Sequence, residues 1–377
     1  MDIIKNMIKE VIDMQKRKIV VIIVILVVLI GGIFLALDKK LEFNLAINEH
    51  NKILAAEDTV SFINSTLSDD KGIYTNYLDK ESVGDETKGH YVLSESEGLM
   101  MLYGVETGNK DIVDTHLKII ENMMMKNDLV SWRAIGDEKS MVSSTIDDLR
   151  IVKASALAYK RFNDNRYKKI FFKLSEGLKN NSVHKGCLVD FNDSGVLSDT
   201  VTLSYMDLGS LSILSDVDND YEKIEEKSKE IVEGGYISDD IPLYRKSYNI
   251  NAEEYSDEEN NDLLLTSMIY LYKSEVGEDT SKFLKWIDDK LNNDGFLCST
   301  YSSETGEVTS SIESTAIYSV VAMVARNSGD INLYNKLKEK LYLYKIDEGE
   351  LKGAFGYIDN KEIYSFDNLM AILALIE

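Results

Sequence analysis

A single proline, Pro242, stands among 377 residues. Proline ends or kinks helices, so its scarcity suits a chain that is nearly all helix. Cysteine is almost as scarce. Cys187 and Cys298 exclude a disulfide framework and leave room for at most one long-range bridge. The four histidines, His50, His90, His116 and His184, fall at no metal-ligand spacing, and no metal or cofactor is expected. Asp216-Val217-Asp218-Asn219-Asp220 begins like a calcium loop, but Tyr221 and Lys227 stand where Gly and Glu are needed. Basic residues are outnumbered, 42 Lys and Arg to 65 Asp and Glu, for a formal charge of -23. That balance argues against nucleic acid or an anionic membrane surface as ligand. It suits a neutral or cationic substrate.

One long apolar run is present. Ile19 to Leu37 carries no charge and is long enough to span a bilayer. Lys16-Arg17-Lys18 precedes it, so the positive-inside rule assigns residues 1–18 to a cytoplasmic tail. Residues 19–37 are then a membrane anchor and 38–377 an extracellular domain. The competing reading is a cleaved signal, against which the run is long and lacks a small-residue cleavage site. No cysteine follows the run to carry a lipid.

Beyond it an acidic residue recurs near the start of six apolar segments. Glu97, Asp148, Asp207, Asp262, Glu313 and Asp367 follow one another at intervals of 51 to 59 residues. A repeat of that length means stacked supersecondary units. Within each unit an apolar helix begins near the acid, a Gly, Asn or Asp turn follows, and a one-sided helix returns. Ile151 to Tyr159 is apolar nearly all round, the mark of a buried helix. Tyr167, Ile170, Phe171, Leu174 and Leu178 form a single stripe, the mark of an outer one. Six inner and six outer helices predict an all-α (α/α)6 barrel behind one transmembrane helix. The six inner N-termini would then lie at one end, with their acids converging there. The plainer reading of each acid is a first-turn residue favoured by the helix dipole.

Ser94-Glu95-Ser96-Glu97-Gly98 opens the first inner helix. Here the chain resembles glycoside hydrolase family 8, whose members carry Ser-Glu-Gly at such a position. Leu129-Val130-Ser131-Trp132-Arg133 is similar to that family's segment with a sugar-stacking Trp. Ser144-Thr145-Ile146-Asp147-Asp148-Leu149 is similar to Ala-Thr-Asp-Ala-Asp-Leu, with Ile146 in place of the first Asp. Leu203-Ser204-Tyr205 is similar to Pro-Ser-Tyr, and Asn261-Asp262-Leu263-Leu264-Leu265 stands where the family has its base, without the Arg that follows it. The resemblance spans about residues 90–270. It is nearest to divergent, membrane-anchored members found beside bacterial exopolysaccharide synthases. It implies an inverting endo-glycosidase on an extracellular β-linked polysaccharide, of the β-1,4 type. It implies exopolysaccharide synthase machinery as a neighbour.

Inverting hydrolysis needs a protonated acid at the leaving oxygen and an ionised carboxylate holding a water on the other face. The expected acid is Glu97 and the expected base Asp262, with Asp148 holding the sugar and tuning the acid. Asp207 and Asp257 are alternative bases. Trp132, Tyr205, Asp147 and Asp207 are the expected substrate-binding residues, with Tyr244 and Tyr248 as further stacking candidates. Two other readings compete. A polysaccharide lyase would want a Tyr/His pair, and His is nearly lacking. A non-catalytic carbohydrate-binding or synthase-partner protein would keep the barrel without the base.

Overall fold

The computed structural model describes residues 40–47, 54–79 and 89–376. The expected tail, 1–18, and span, 19–37, lie outside the described residues. No helix among those described is long and apolar enough to cross a membrane. The chain separates into two compact units, Met1–Glu42 and Phe43–Glu377, and all twelve described helices belong to the second.

The helices alternate between an inner and an outer ring. The inner ones are α2 (Ser94–Glu106), α4 (Thr145–Phe162), α6 (Leu208–Val217), α8 (Leu263–Glu275), α10 (Thr315–Asn327) and α12 (Ser365–Leu375). The outer ones are α1 (Leu54–Thr66), α3 (Lys110–Met123), α5 (Asn165–Asn181), α7 (Glu222–Gly234), α9 (Ser281–Asp294) and α11 (Ile331–Tyr342). Each inner helix packs on the next, and α12 packs on α2, which closes the ring. The unpaired outer helix, α1, packs on α12. The six-and-six count expected from the repeat is the one observed.

Sequence dictates the two rings. In α4 every residue from Thr145 to Ala158 is buried, as an all-round apolar helix requires. In α5 the stripe Tyr167, Ile170, Phe171, Leu174 and Leu178 is buried and the lysines face out. Each such large side chain contributes about 1.5–3 kcal/mol on burial. Some outer helices start at side-chain caps: Asn109 accepts from Ile112 N before α3, and Asp330 from Leu333 N before α11. α4 stops at Asn163, whose φ of 53° is the left-handed conformation Asn tolerates.

The loops at the N-terminal end of the inner helices form short hairpins. β1 (Val92–Leu93), β2 (Arg133–Ile135) and β3 (Glu138–Lys139) make one three-stranded sheet in that order. β4 (Val142–Ser144), β5 (Phe191–Asp193) and β6 (Val196–Leu197) make another, in the order β6-β5-β4. β1 runs straight into α2, and β4 into α4, so these sheets fix the first turns of two inner helices.

Candidate active site

The starts of five inner helices surround a cavity of about 310 Å³. Glu95 reaches it from α2, Asp147 and Arg150 from α4, Tyr205 from the segment entering α6, Tyr272 from α8, and Phe366 from α12. Trp132, just before β2, and the apolar Leu264, Leu265 and Met268 complete the wall. The cavity is an aromatic and aliphatic cup with two carboxyl groups and one guanidinium.

Those three ionisable groups act on one another. Arg150 Nη1 lies 2.8 Å from Asp147 Oδ1, and Ser94 Oγ donates to Asp147 Oδ2 at 3.0 Å. Both oxygens of Asp147 are therefore engaged. Burial pushes the Asp147 carboxyl up, against the pull of Arg150, Ser94 and Ser144. Burial pushes Glu95 up to about 7; Arg150 opposes this and the Asp147 charge adds to it. Asp147 is hydrogen-bonded to the guanidinium, whereas Glu95 feels Arg150 through its charge. The stem of Arg150 lies across Gly98, where an added Cβ would meet Arg150 Cγ and Cδ at 3.3 Å. Gly98 thus leaves the room that lets Arg150 reach the cavity.

The repeat-position acids are placed differently. Glu97 is fully buried and does not line the cavity; its Oε1 accepts from Ile73 N at 2.8 Å and its Oε2 lies 2.6 Å from His116 Nδ1. Asp148 is also fully buried, accepting from Val130 N at 2.9 Å. Its Oδ2 has no hydrogen-bond partner among the described residues, and burial drives its pKa well above the usual carboxylate range. Asp207 caps α6 through Ser210 N and pairs with Lys153 at 2.8 Å. Burial would raise Asp207, but Lys153 and Ser210 outweigh it and hold the carboxyl low. Glu313 accepts from the Tyr318 hydroxyl, and Asp367 accepts from Thr315 Oγ1 and Ala316 N at the start of α10. Most of the conspicuous repeat therefore fastens helix starts to their neighbours. The convergence of six acids on one open site, expected from the spacing, is not what the structure has.

Asp262 is the exception. It is exposed, and its Oδ1 accepts from Leu264 N at 2.7 Å and Leu265 N at 3.1 Å. Those two leucines line the cavity and Asp262 itself does not; it stands just before α8, the inner helix opposite α2. Asp257 is highly exposed and pairs with Arg245 at 2.7 Å. Of the expected binding residues, Trp132, Tyr205 and Asp147 line the cavity and Asp207 does not. Tyr244 packs between Tyr236 and Tyr270, and Tyr248 on Tyr255, both away from the cavity wall. Glu95, Arg150, Tyr272 and Phe366 line the cavity without having been expected there. For Glu95 a signal existed: Ser-Glu occurs twice in a row, at Ser94-Glu95 and Ser96-Glu97.

No family model matches the chain. It is 25% identical over 316 residues to the putative lipoprotein YdaJ of Bacillus subtilis (strain 168), covering 83% of this chain and 84% of that protein. A solved structure described as a novel alpha-amylase from Clostridium perfringens is 45% identical, with a TM-score of 0.82 over 85% of this chain and 96% of that one. Endoglucanase Cel10 from Klebsiella pneumoniae, a family 8 glycosyl hydrolase, is 15% identical, with a TM-score of 0.60 over 85% of this chain and 98% of that one. That last likeness extends to the fold alone.

Proposed function

This chain belongs to one family with the Clostridium perfringens protein, and from that premise we propose that it is a glycoside hydrolase of divergent family 8 type that cleaves a glucan chain with Glu95 as proton donor. The observation that carries the reading is the carboxyl of Glu95, pushed up to about 7 in an aromatic cavity beside an Arg-bound carboxylate. A general acid needs a proton at working pH, and burial raises the affinity of this carboxyl for one.

The reaction breaks the bond between the anomeric carbon and the glycosidic oxygen. Glu95 gives its proton to that leaving oxygen. A water, relieved of a proton by a second carboxylate, attacks the anomeric carbon from the opposite face and inverts it. Asp262 is our assignment for that base. It stands across the barrel from Glu95, whereas Asp147 is next to Glu95 and occupied by Arg150 and Ser94. Asp147 and Arg150 suit a sugar hydroxyl, and Trp132, Tyr205 and Tyr272 suit the apolar faces of the rings. Asp207 is committed to Lys153, which leaves Asp257 as the alternative base.

Two observations support different linkages. The motif resemblance to family 8 supports a β-linked, β-1,4 type glucan, and the 45% relative, described as an alpha-amylase, supports an α-linked one. With residues 19–37 as anchor and residues 1–18 in the cytoplasm, the cavity would meet an extracellular polysaccharide. The reading is tested by giving the full chain carboxymethyl cellulose, mixed-linkage β-glucan and soluble starch and counting new reducing ends. Activity on either class that Glu95→Gln abolishes supports it, and the preferred polymer fixes the linkage. Retention of polymer without cleavage would favour a binding protein on the same barrel.

A further inference from the structure

Phe191 is a large aromatic side chain, 42% exposed, that is no part of the cavity wall. Its position follows from strand register. Ser144 of β4 lies directly opposite Phe191 of β5, and Val142 opposite Asp193. Val196 of β6 lies opposite Asp193 as well. Directly opposed residues present their side chains on one face of a sheet. One face therefore carries Ser144, Phe191, Asp193 and Val196. On the other face Ser143 and Asn192 are buried. Ser144 lines the cavity and helps hold the Asp147 carboxyl down. The exposed face with Phe191 thus continues the cavity wall outward. On the other edge of β4, Trp132 donates its backbone N–H to Val142 O at 3.0 Å. Trp132 and Phe191 flank β4, each about 5 Å from it, one strand spacing.

We propose that Phe191 is a distal sugar-stacking platform, extending the substrate site from the cavity across the β6-β5-β4 sheet for a polysaccharide chain longer than the cavity holds. A cavity of about 310 Å³ is at the small end of ligand sites and accommodates a short oligosaccharide. An exposed phenyl ring gains nothing from water and would gain from the apolar face of a pyranose. The charged group on that face is a carboxylate, Asp193, which suits a neutral polymer over an anionic one.

The inference rests on the hydrolase reading and is tested separately from it. The full chain and its Phe191→Ala and Phe191→Trp variants are assayed on mixed-linkage β-glucan and soluble starch, both neutral, and on cellotetraose and maltotetraose. Phe191→Ala should raise KM for the cleaved polymer about five- to tenfold. It should leave kcat and tetrasaccharide kinetics unchanged, and Phe191→Trp should restore the wild-type KM. An unchanged polymer KM would overturn the proposal. So would an equal change on the tetrasaccharide, or loss of self-association with unaltered sugar kinetics. If the wild type cleaves no polymer, the hydrolase reading fails. Retardation of the same variants in gels containing each polymer then still decides whether Phe191 binds sugar.

Discussion

Glu95 and Glu97 are two residues apart on α2, which turns their side chains about 200° from one another. One enters the cavity and the other enters the core beside His116. Glu97→Gln should keep its activity and lose about 1–3 kcal/mol of stability, seen as a lower Tm, because the buried hydrogen bonds to His116 and Ile73 N are weakened. The pH profile follows Glu95. A general acid works while protonated, so kcat/KM should hold below about pH 7 and fall about tenfold per unit above it. Arg150 holds the Glu95 carboxyl down by its charge, so Arg150→Met should move that alkaline limb to higher pH. Arg150→Lys should return it. The sequence makes the tandem Ser-Glu visible. It does not say which of two adjacent registers faces inward, because both place an acid in the first turn.

At the scale of elements, carboxylates act as fasteners between helix starts. Asp367 on α12 accepts from Thr315 Oγ1 at 2.7 Å and Ala316 N at 2.9 Å, joining α12 to α10. Asp367→Ala should cost about 1–2 kcal/mol in chemical denaturation, with catalytic constants unchanged. Gly72 packs close to Glu97, whose Oε1 accepts from the next residue's N–H, that of Ile73. The φ of Gly72 is 144°, and an added Cβ would meet Val92 Cγ1 at 2.5 Å and Glu97 Oε1 at 2.7 Å. Helix periodicity made the inner and outer elements legible, since stripes such as Tyr167 to Leu178 run for several turns. The hairpins at the cavity end were not legible. Strands of two or three residues have no period to read, and their pairing, Ser144 with Phe191 for instance, joins distant parts of the chain.

For the whole molecule the ring is the unit of stability. α12 packs on α10, α2 and α1, so the last helix closes what the first ones open. A chain ended after Lys345 loses those contacts and the Asp367 bonds. It should no longer melt cooperatively in calorimetry; a transition near the full-length temperature would break the ring account. The regular spacing announced that ring because each unit must bury its inner helix against the next. The same regularity pointed to Glu97, which lies in the core and not in the cavity wall, since architecture selects residues at equivalent positions and chemistry does not. The most direct test of the hydrolase account is therefore kcat for reducing-end release by Glu95→Gln and Glu97→Gln, side by side, on the polymer the wild type prefers. The account predicts a loss of about a thousandfold or more in Glu95→Gln and near wild-type turnover in Glu97→Gln. Turnover that survives in Glu95→Gln and vanishes in a folded Glu97→Gln would contradict it.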